Sequence, residues 1–280
     1  MGAIIWLASY PKSGNTWLRA FLYNLLRNPP TPAPINDLDQ FCLGESAAAW
    51  YAKRAGKSVE GMSLAEVMAL RPAVQRDFTQ AFPDSVFVKT HNFMGECLGV
   101  PLHNMDVTAG AIYVVRDPRD LAVSMTHHYG ITLDAAIARL NEPAASTETA
   151  AGHVAEMHNS WSTHVKSWTA GWETGKPNQQ LHVIRYEDML SKPNRTFGGV
   201  AKFLGLAPEP ARLAKAVRFS SFEVLRDQER QGSFKERSAH SQAFFRSGKA
   251  QQWRTDLSKA QIDTVRAQHG EQMRRFRYID

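Results

Sequence analysis

The stretch of chain from residue 4 to residue 26 constrains the fold more than any other. Residues 4–7 form a short apolar run, which is typical of a buried parallel strand. A turn containing Pro11 and Gly14 interrupts this run, and from Thr16 onward apolar residues recur at helical spacing. The sequence therefore predicts a strand, a tight loop and a helix in succession.

The loop between this strand and this helix has the chemistry of a phosphate site. At the amino terminus of a helix, backbone N–H groups and the positive end of the helix dipole point at the same place. Lys12 adds a full charge, and Ser13 and Thr16 add hydroxyl donors. The loop is not a Walker A motif, because Lys12 precedes its only glycine, Gly14. The alternative is an ordinary strand-to-helix turn that carries a lysine.

Composition narrows the classes of protein that fit. With 280 residues, 43% of them hydrophobic, the chain is expected to form a single domain over residues 1–280. A net charge of +6 favours anionic ligands, but the scattered Lys and Arg residues indicate no nucleic-acid partner. Two cysteines argue against a disulfide framework and predict a cytoplasmic location. No apolar run reaches the roughly 20 residues of a membrane span, so no membrane partner is expected.

Apolar runs alternate with helix-forming segments along the chain. Further runs at residues 86–88, 111–115 and 181–186 predict an α/β fold with a central parallel sheet flanked by helices. In such sheets the ligand binds outside the carboxyl ends of the strands. Three of the predicted strands are followed there by cationic turns, whose residues are Lys12, Lys89 with His91, and Arg116. We therefore expect an anion site at this edge of the sheet.

Other segments carry weaker signals. Residues 35–82 are mostly helix-forming, residues 142–152 predict a mobile surface loop, and the chain from residue 219 to residue 251 is predicted to be irregular. A final helix is expected from Ser258. Several histidines lack the context of His91 and are assigned to the surface or to a second site, namely His127, His128, His153 and His158.

A series of motifs, in one order along the chain, resembles the sulfotransferases that use 3′-phosphoadenosine 5′-phosphosulfate (PAPS). YPKSGNTW at 10–17 resembles their 5′-phosphosulfate loop, and VFVKTH at 86–91 resembles the strand that ends in their catalytic histidine. YVVRDPRDLAVS at 113–124 resembles the 3′-phosphate segment. The remaining matches are RYEDML at 185–190, SSFEVL at 220–225 and FFRSGKAQQW at 244–253.

This resemblance implies a role for each matched residue. His91 is the implied general base, with Lys12 and Lys89 stabilising the charge of the transferred sulfonate. In the last loop Ser247 replaces a lysine of the family's motif, and Gln251–Gln252 replace Gly-Asp. Part of the family's contacts to the 3′-phosphate is therefore unmatched in this sequence. No metal site is implied. The implied donor-binding residues are Lys12, Ser13, Gly14, Asn15, Thr16, Trp17, Arg116, Ser124, Tyr186, Ser221, Phe222, Arg246, Ser247 and Gly248.

The expected function is transfer of a sulfonate group from PAPS to a hydroxyl or amine of a small-molecule acceptor, with adenosine 3′,5′-bisphosphate (PAP) as product. The implied acceptors are phenols, alcohols, glycosides or glycopeptides. The motifs look closer to those of bacterial small-molecule sulfotransferases, including enzymes that act on glycopeptide antibiotics, than to those of Golgi enzymes. A monomer or homodimer is expected. Two alternatives stay open at this point: a P-loop kinase that uses ATP, and a non-catalytic nucleotide-binding module. For single residues the alternatives are a surface ion pair of Arg116 with Asp117 or Asp120, and core positions for Tyr186 and Phe222.

Overall fold

The structure is a computed structural model that describes residues 2–171 and 180–280. The strands are β1 Ile4–Ser9, β2 Leu43–Gly44, β3 Val86–Thr90, β4 Glu96–Cys97, β5 Val100–Pro101, β6 Thr108–Val115 and β7 Leu181–Arg185. The helices are α1 Asn15–Arg27, α2 Leu38–Phe41, α3 Ala48–Ala55, α4 Leu64–Ala81, α5 Pro118–Tyr129, α6 Leu133–Asn141, α7 Trp161–Thr169, α8 Tyr186–Ser191, α9 Pro193–Phe203, α10 Pro210–Phe219, α11 Phe222–Gly232, α12 Trp253–Asp256 and α13 Lys259–Arg275.

The central sheet is parallel and five-stranded, with the strand order β2-β3-β1-β6-β7. β1 and β3 pair in a register that sets Ile4 opposite Val86 and Ala8 opposite Thr90. Trp6 and Leu7, which point to opposite faces of β1, are both fully buried, as expected of a parallel strand covered on both sides. The predicted α/β fold with a central parallel sheet flanked by helices is confirmed.

The described chain divides into two compact units, each built from three segments. Unit 1 comprises Met1–Pro11, Cys42–Tyr113 and Glu142–Val183, and unit 2 comprises Lys12–Phe41, Val114–Asn141 and Ile184–Asp280. The sheet belongs to unit 1 apart from the last residues of β6 and β7. The single domain expected over residues 1–280 stays a prediction, and residue 1 and residues 172–179 of that range lie outside the described residues.

Both units contain buried apolar residues. In unit 1, Trp161, Val165 and Trp168 of α7 are buried, as their helical spacing predicts. In unit 2 one cluster joins the start of the chain to its last third. Its members are Ala20, Ile35, Leu38, Leu225, Phe234 and Phe245, with Trp17, Tyr23, Phe222 and Phe244 packed against them.

Two of the predicted element boundaries are wrong. The chain after residue 219 is not irregular throughout, because α11 begins at Phe222 behind the N-cap residue Ser221, whose hydroxyl accepts from the amide of Val224. This helix is mostly polar and buries only Leu225 and Glu229, so few apolar residues mark it in the sequence. The strand predicted over residues 181–186 ends at Arg185, and Tyr186 is the first residue of α8.

Residues 142–152 contain no regular helix or strand, as expected of a loop. Isolated bridges nevertheless tie this loop to its neighbours: Ser146 pairs with Met157, and Ala150 pairs with His153. Its mobility stays a prediction. The surface assignment is wrong for His158, which is 1% exposed, because the chain after this loop turns into the interior of unit 1.

Candidate active site

The loop between β1 and α1 takes a conformation that needs glycine. Gly14 has φ +105, and a Cβ atom added there would lie 2.8 Å from Cδ2 of Tyr186. Lys12 also has positive φ, at 69. A non-glycine residue in this region costs of order 1–3 kcal/mol and is found mostly at functional sites. The ring of Tyr186 therefore closes one side of the loop in unit 2, and the loop itself is held in a strained form.

The beginning of α1 suits an anionic group. Gly14 is the N-cap and gives no side-chain hydrogen bond, and the first turn contains no acidic residue. Ser13 is fully buried, and its Oγ has no hydrogen-bond partner among residues 2–171 and 180–280. A buried hydroxyl without a partner is costly unless a ligand or water satisfies it. Together with the helix dipole, these features fit a phosphate group.

Arg116 joins this loop to the end of β6. Its Nη1 donates a 2.9 Å hydrogen bond to the carbonyl oxygen of Lys12, and its guanidinium lies 4.2 Å above the ring of Tyr186. The Nε of Arg116 is buried and has no partner in the described chain. The alternative of a surface ion pair is wrong, since Arg116 is 6% exposed and Arg119 is the residue that pairs with Asp117, at 2.6 Å.

Lys12 contacts two residues outside the predicted donor-binding set. Its Nζ lies 3.2 Å from Nδ1 of His128 and 4.0 Å from the ring centre of Phe244. An ammonium group can only donate, so Nδ1 of His128 accepts in this contact and carries no proton. His128 follows Ser124 by four residues on α5, so the two residues share one face of the helix, and this spacing could have shown that His128 lies near the site.

Thr16 lies in an ion-pair network of unit 2. Its hydroxyl donates to Oε2 of Glu236 at 3.4 Å and accepts from Nη2 of Arg19 at 3.1 Å. Arg19 and Glu236 are themselves paired at 2.6 Å. The contact between Glu236 and the first turn of α1 spans more than two hundred residues of sequence, so no local sequence pattern predicts it.

The carboxyl-terminal loop is anchored on α5 and α11. The ring of Phe222 lies against Gly248, whose φ is +61 and where a Cβ would come within 2.4 Å of that ring. Asp120 accepts from the amides of Gln251, at 2.6 Å, and Trp253, at 3.1 Å. Asp120 thus holds the backbone of the loop although Gln251–Gln252 replace Gly-Asp. The exposed Arg246 donates to Oε1 of Gln252 at 2.5 Å.

All of the residues predicted to bind the donor belong to unit 2. Of these, Trp17 packs edge-on against Tyr186 with ring centres 6.0 Å apart, and Ser124 is half-buried on α5. Burial raises the pKa of the Tyr186 hydroxyl, so this residue is neutral. The complete set is Lys12, Ser13, Gly14, Asn15, Thr16, Trp17, Arg116, Ser124, Tyr186, Ser221, Phe222, Arg246, Ser247 and Gly248.

Lys89 and His91 belong to unit 1, where His91 has a defined tautomer. Its Nδ1 lies 2.8 Å from the carbonyl oxygen of Ser9. A carbonyl oxygen can only accept, so Nδ1 carries the proton and Nε2 keeps the lone pair. Burial and the charge of Lys89 lower the pKa of His91 to about 3. His91 is therefore a neutral imidazole whose Nε2 is able to accept a proton.

Buried hydrogen bonds fix the backbone around His91. Nε2 of His164 contacts the carbonyl oxygen of His91 at 3.1 Å, and the hydroxyl of Tyr113 contacts Nδ1 of the same imidazole at 2.8 Å. The side-chain amide of Asn92 donates to Oε2 of the fully buried Glu45 at 2.7 Å. His164, Tyr113 and Glu45 come from distant parts of the sequence, and sequence reasoning missed all three.

Two other kinds of feature are absent from the described ranges. Within residues 2–171 and 180–280 no helix combines the length and apolar character that crossing a membrane requires. Over the same ranges, no group of three or more His, Cys, Asp or Glu side chains is arranged to hold a metal ion.

Comparisons with known proteins agree with the motifs. The profile of the family described as Sulfotransferase domain matches residues 4–277. Sulfotransferase 1A1 of the dog is 24% identical over 277 residues, covering 95% of this chain and 82% of that protein. Mouse sulfotransferase 1 family member D1 is 27% identical over 270 residues, covering 92% and 79%. Dog sulfotransferase 1B1 is 27% identical over 79% of this chain, and the match spans 65% of its length.

Solved structures share the fold. Mouse sulfotransferase SULT7A1 complexed with PAP has a TM-score of 0.62 and 21% identity, covering 97% of this chain and 84% of that one. Retinol dehydratase in complex with androsterone and the inactive cofactor PAP has a TM-score of 0.64 and 17% identity, covering 96% and 80%. The resemblance inferred from the motifs is thereby confirmed. On the strength of a profile match from residue 4 to residue 277, the chain belongs to the sulfotransferase family.

Proposed function

We propose that the protein transfers the sulfonate group of PAPS to a hydroxyl or amine of a small-molecule acceptor and releases PAP. Membership of the sulfotransferase family supports this reaction class, and related structures contain PAP. The observation that carries the donor assignment is the contact of Arg116 with the backbone of Lys12. This contact joins the predicted 3′-phosphate segment to the predicted 5′-phosphate loop within unit 2.

The donor end of the reaction is assigned to Lys12. The bond between the sulfonate sulfur and the bridging oxygen of the 5′-phosphate breaks, and the leaving oxygen gains negative charge. By analogy with phosphoryl transfer, fixed positive groups that stabilise this charge supply most of the rate. We assign Lys12 and the amides at the beginning of α1 to this task, with Lys89 as the second cation.

The acceptor end is assigned to His91. A new bond forms between the acceptor oxygen or nitrogen and sulfur, and the acceptor proton passes to Nε2 of His91. The hydrogen bond from Nδ1 to Ser9 supports this role, since it leaves the lone pair on Nε2. The low pKa of His91 keeps the imidazole unprotonated in neutral solution, as a base requires.

The 3′-phosphate is assigned to Arg116, Ser124 and Arg246. The buried Nε of Arg116 has no partner in the described ranges and is able to donate to a phosphate oxygen. The 3′-phosphate distinguishes PAPS from ATP.

We further propose a phenol, alcohol, glycoside or glycopeptide as acceptor, a bacterial origin, a cytoplasmic location and a monomeric or homodimeric state. Structures of the related retinol dehydratase contain androsterone or retinol, which supports a small hydroxylated acceptor.

Ligand-dependent thermal unfolding tests the donor assignment. PAP without magnesium should raise the unfolding midpoint by several degrees at about a hundred times its Kd, a stabilisation of about 2.7 kcal/mol. The Arg116→Ala protein should lose most of this shift. A larger shift with magnesium and ATP than with PAP would favour a kinase and overturn the assignment. Incubation with radiolabelled PAPS and a panel of phenols, alcohols, glycosides and amines then tests transfer, and a non-catalytic binding module would label none of them.

A further inference from the structure

The chain from residue 154 to residue 158 is fastened beside His91 in unit 1. The amide of Met157 donates to Oδ1 of Asn92 at 2.6 Å, and the amide of Phe93 donates to the carbonyl oxygen of Met157 at 2.8 Å. On the other side, Glu156 and Thr147 exchange two hydrogen bonds of 2.9 Å each. This segment is therefore held from both sides, next to the residues that follow His91.

Glu156 places a carboxylate inside this arrangement. Its side chain is 12% exposed, Oε1 accepts from Oγ of Ser46 at 2.9 Å, and Oε2 lies 3.5 Å from Nε2 of His158. The ring of His158 meets that of His91 edge-on, with ring centres 6.5 Å apart. Glu156, His158 and His91 thus form one cluster of ionisable groups, to which Lys89 adds its charge.

Opposing electrostatic effects act on the protonation of His91 in this cluster. Burial, the charge of Lys89 and the charge that His158 would carry disfavour a protonated His91, whereas the charge of Glu156 and the carbonyl oxygen of Ser9 favour it. Burial alone would raise the pKa of Glu156. The hydrogen bond from His158 and the charge of Lys89, together with the charge that His91 would carry if protonated, outweigh that effect, so the pKa of Glu156 lies well below its usual range. Glu156 is therefore a carboxylate in the resting protein.

We propose that Glu156 is a positioning residue for sulfonate transfer, whose carboxylate stabilises the imidazolium that forms when His91 takes the acceptor proton. The inference rests on the proposed role of His91 as general base. Removal of a proton from a phenol or alcohol creates a second positive charge beside Lys89. Without Glu156 that charge would lose a carboxylate that offsets it, and the transition state for proton transfer would rise in energy.

The sharpest test removes the charge of Glu156 while it keeps the shape of the side chain. Glu156→Gln keeps an oxygen that accepts from Ser46 but removes the charge, whereas Glu156→Asp keeps the charge. With weakly acidic phenols, Glu156→Gln should lower kcat roughly tenfold or more, the effect of about one pKa unit at His91. With phenols already ionised at the assay pH, the loss should nearly vanish. Glu156→Asp should recover part of kcat, and KM for PAPS should stay unchanged in both variants.

Controls separate this role from a structural one. Glu96→Gln, at an exposed carboxylate of unit 1 that does not act on His91, should leave kcat unchanged. Equal losses for acidic and ordinary phenols in Glu156→Gln would overturn the proposal, as would an unchanged kcat. His91→Ala tests the general-base role separately from the role of Glu156. If the defect of His91→Ala depends on acceptor acidity and the defect of Glu156→Gln does not, only the role of Glu156 fails. If His91→Ala shows no such dependence, the assignment of the base fails as well.

Discussion

Nη1 of Arg116 donates a hydrogen bond to the carbonyl oxygen of Lys12, so the residue proposed for the 3′-phosphate also supports the loop proposed for the 5′-phosphate. The backbone of Lys12 has positive φ, which a fixed partner helps to maintain. Any substitution of Arg116 is therefore expected to affect both ends of the donor site.

The first prediction separates these two residues by kinetics. Lys12→Ala should mainly lower kcat, because Lys12 faces charge that develops during transfer. Arg116→Ala should mainly raise KM for PAPS, because the 3′-phosphate is unchanged by the reaction. Arg116→Lys keeps the charge but loses the fork of donors, and should recover little of the affinity. Small, equal effects of Lys12→Ala and Arg116→Ala in steady-state assays would contradict these roles.

The second prediction concerns His91 as general base. His91→Ala should lower kcat by roughly 10²–10⁴-fold, the range that positioned acid–base groups supply. The affinity for PAPS should barely change, and the defect should shrink for acidic phenols, which have no proton to lose at the assay pH. His153→Ala, at an exposed position of the same unit, serves as the control. An equal defect with acidic and ordinary phenols would leave His91 a structural residue.

The third prediction concerns stability in acid. Burial lowers the pKa of His91 and of His103 to about 3, while an unfolded histidine titrates near 6.5. Below pH 6.5 the unfolded chain therefore binds protons that the native protein does not. The stability these neutral histidines contribute is complete above that pH and is lost as the pH falls toward 3. Each should contribute a slope of up to about 1.4 kcal/mol per pH unit to the free energy of unfolding.

Urea unfolding at a series of pH values measures this slope. His103 packs edge-on against Trp6 and Trp168, so His103→Phe keeps an aromatic ring there and removes one titrating group. The variant should show a shallower dependence between pH 6 and pH 4. An unchanged slope would mean that His103 is protonated in the native protein.

The fourth prediction tests the close approach of Gly14 to Tyr186. Gly14→Ala should destabilise the protein by about 1–3 kcal/mol and weaken PAP binding, because the backbone has positive φ and the added Cβ meets the Tyr186 ring. Gly56→Ala is the matched control, since Gly56 has φ +68 and nothing lies within 4 Å of its added Cβ. If both variants lose the same stability and keep the same PAP affinity, the contact with Tyr186 has no role in the site.

The fifth prediction concerns the loop at residues 142–152. We expect this loop to order over bound acceptor, because it has few apolar anchors. Amide hydrogen exchange should therefore slow on addition of PAP and acceptor, most clearly at Glu148, whereas Thr147 is already bonded to Glu156. Strong protection of Glu148 in the unliganded protein would exclude such ordering.

The sequence reveals features that repeat locally and misses those made by distant residues. β1, the loop with Lys12 and the beginning of α1 were predictable, because apolar periodicity and turn residues lie within one short stretch. α11 was not, since most of its residues are polar and only Leu225 and Glu229 are buried. The neighbourhood of His91 was also out of reach, because Met157 meets Asn92 across 65 residues and such pairing follows only from the folded backbone.

The proposed donor residues extend from Lys12 to Gly248 and draw on all three chain segments of unit 2. During synthesis on the ribosome, the phosphate loop leaves the exit tunnel first, long before Tyr186 can close its side or Phe222 can support Gly248. A nascent chain therefore presents the cationic loop, for most of its translation, without the partners that hold its strained conformation. Capture of the nucleotide is expected to begin only after the last segment has emerged, so that the finished protein, and not an intermediate, is the first species to bind PAPS.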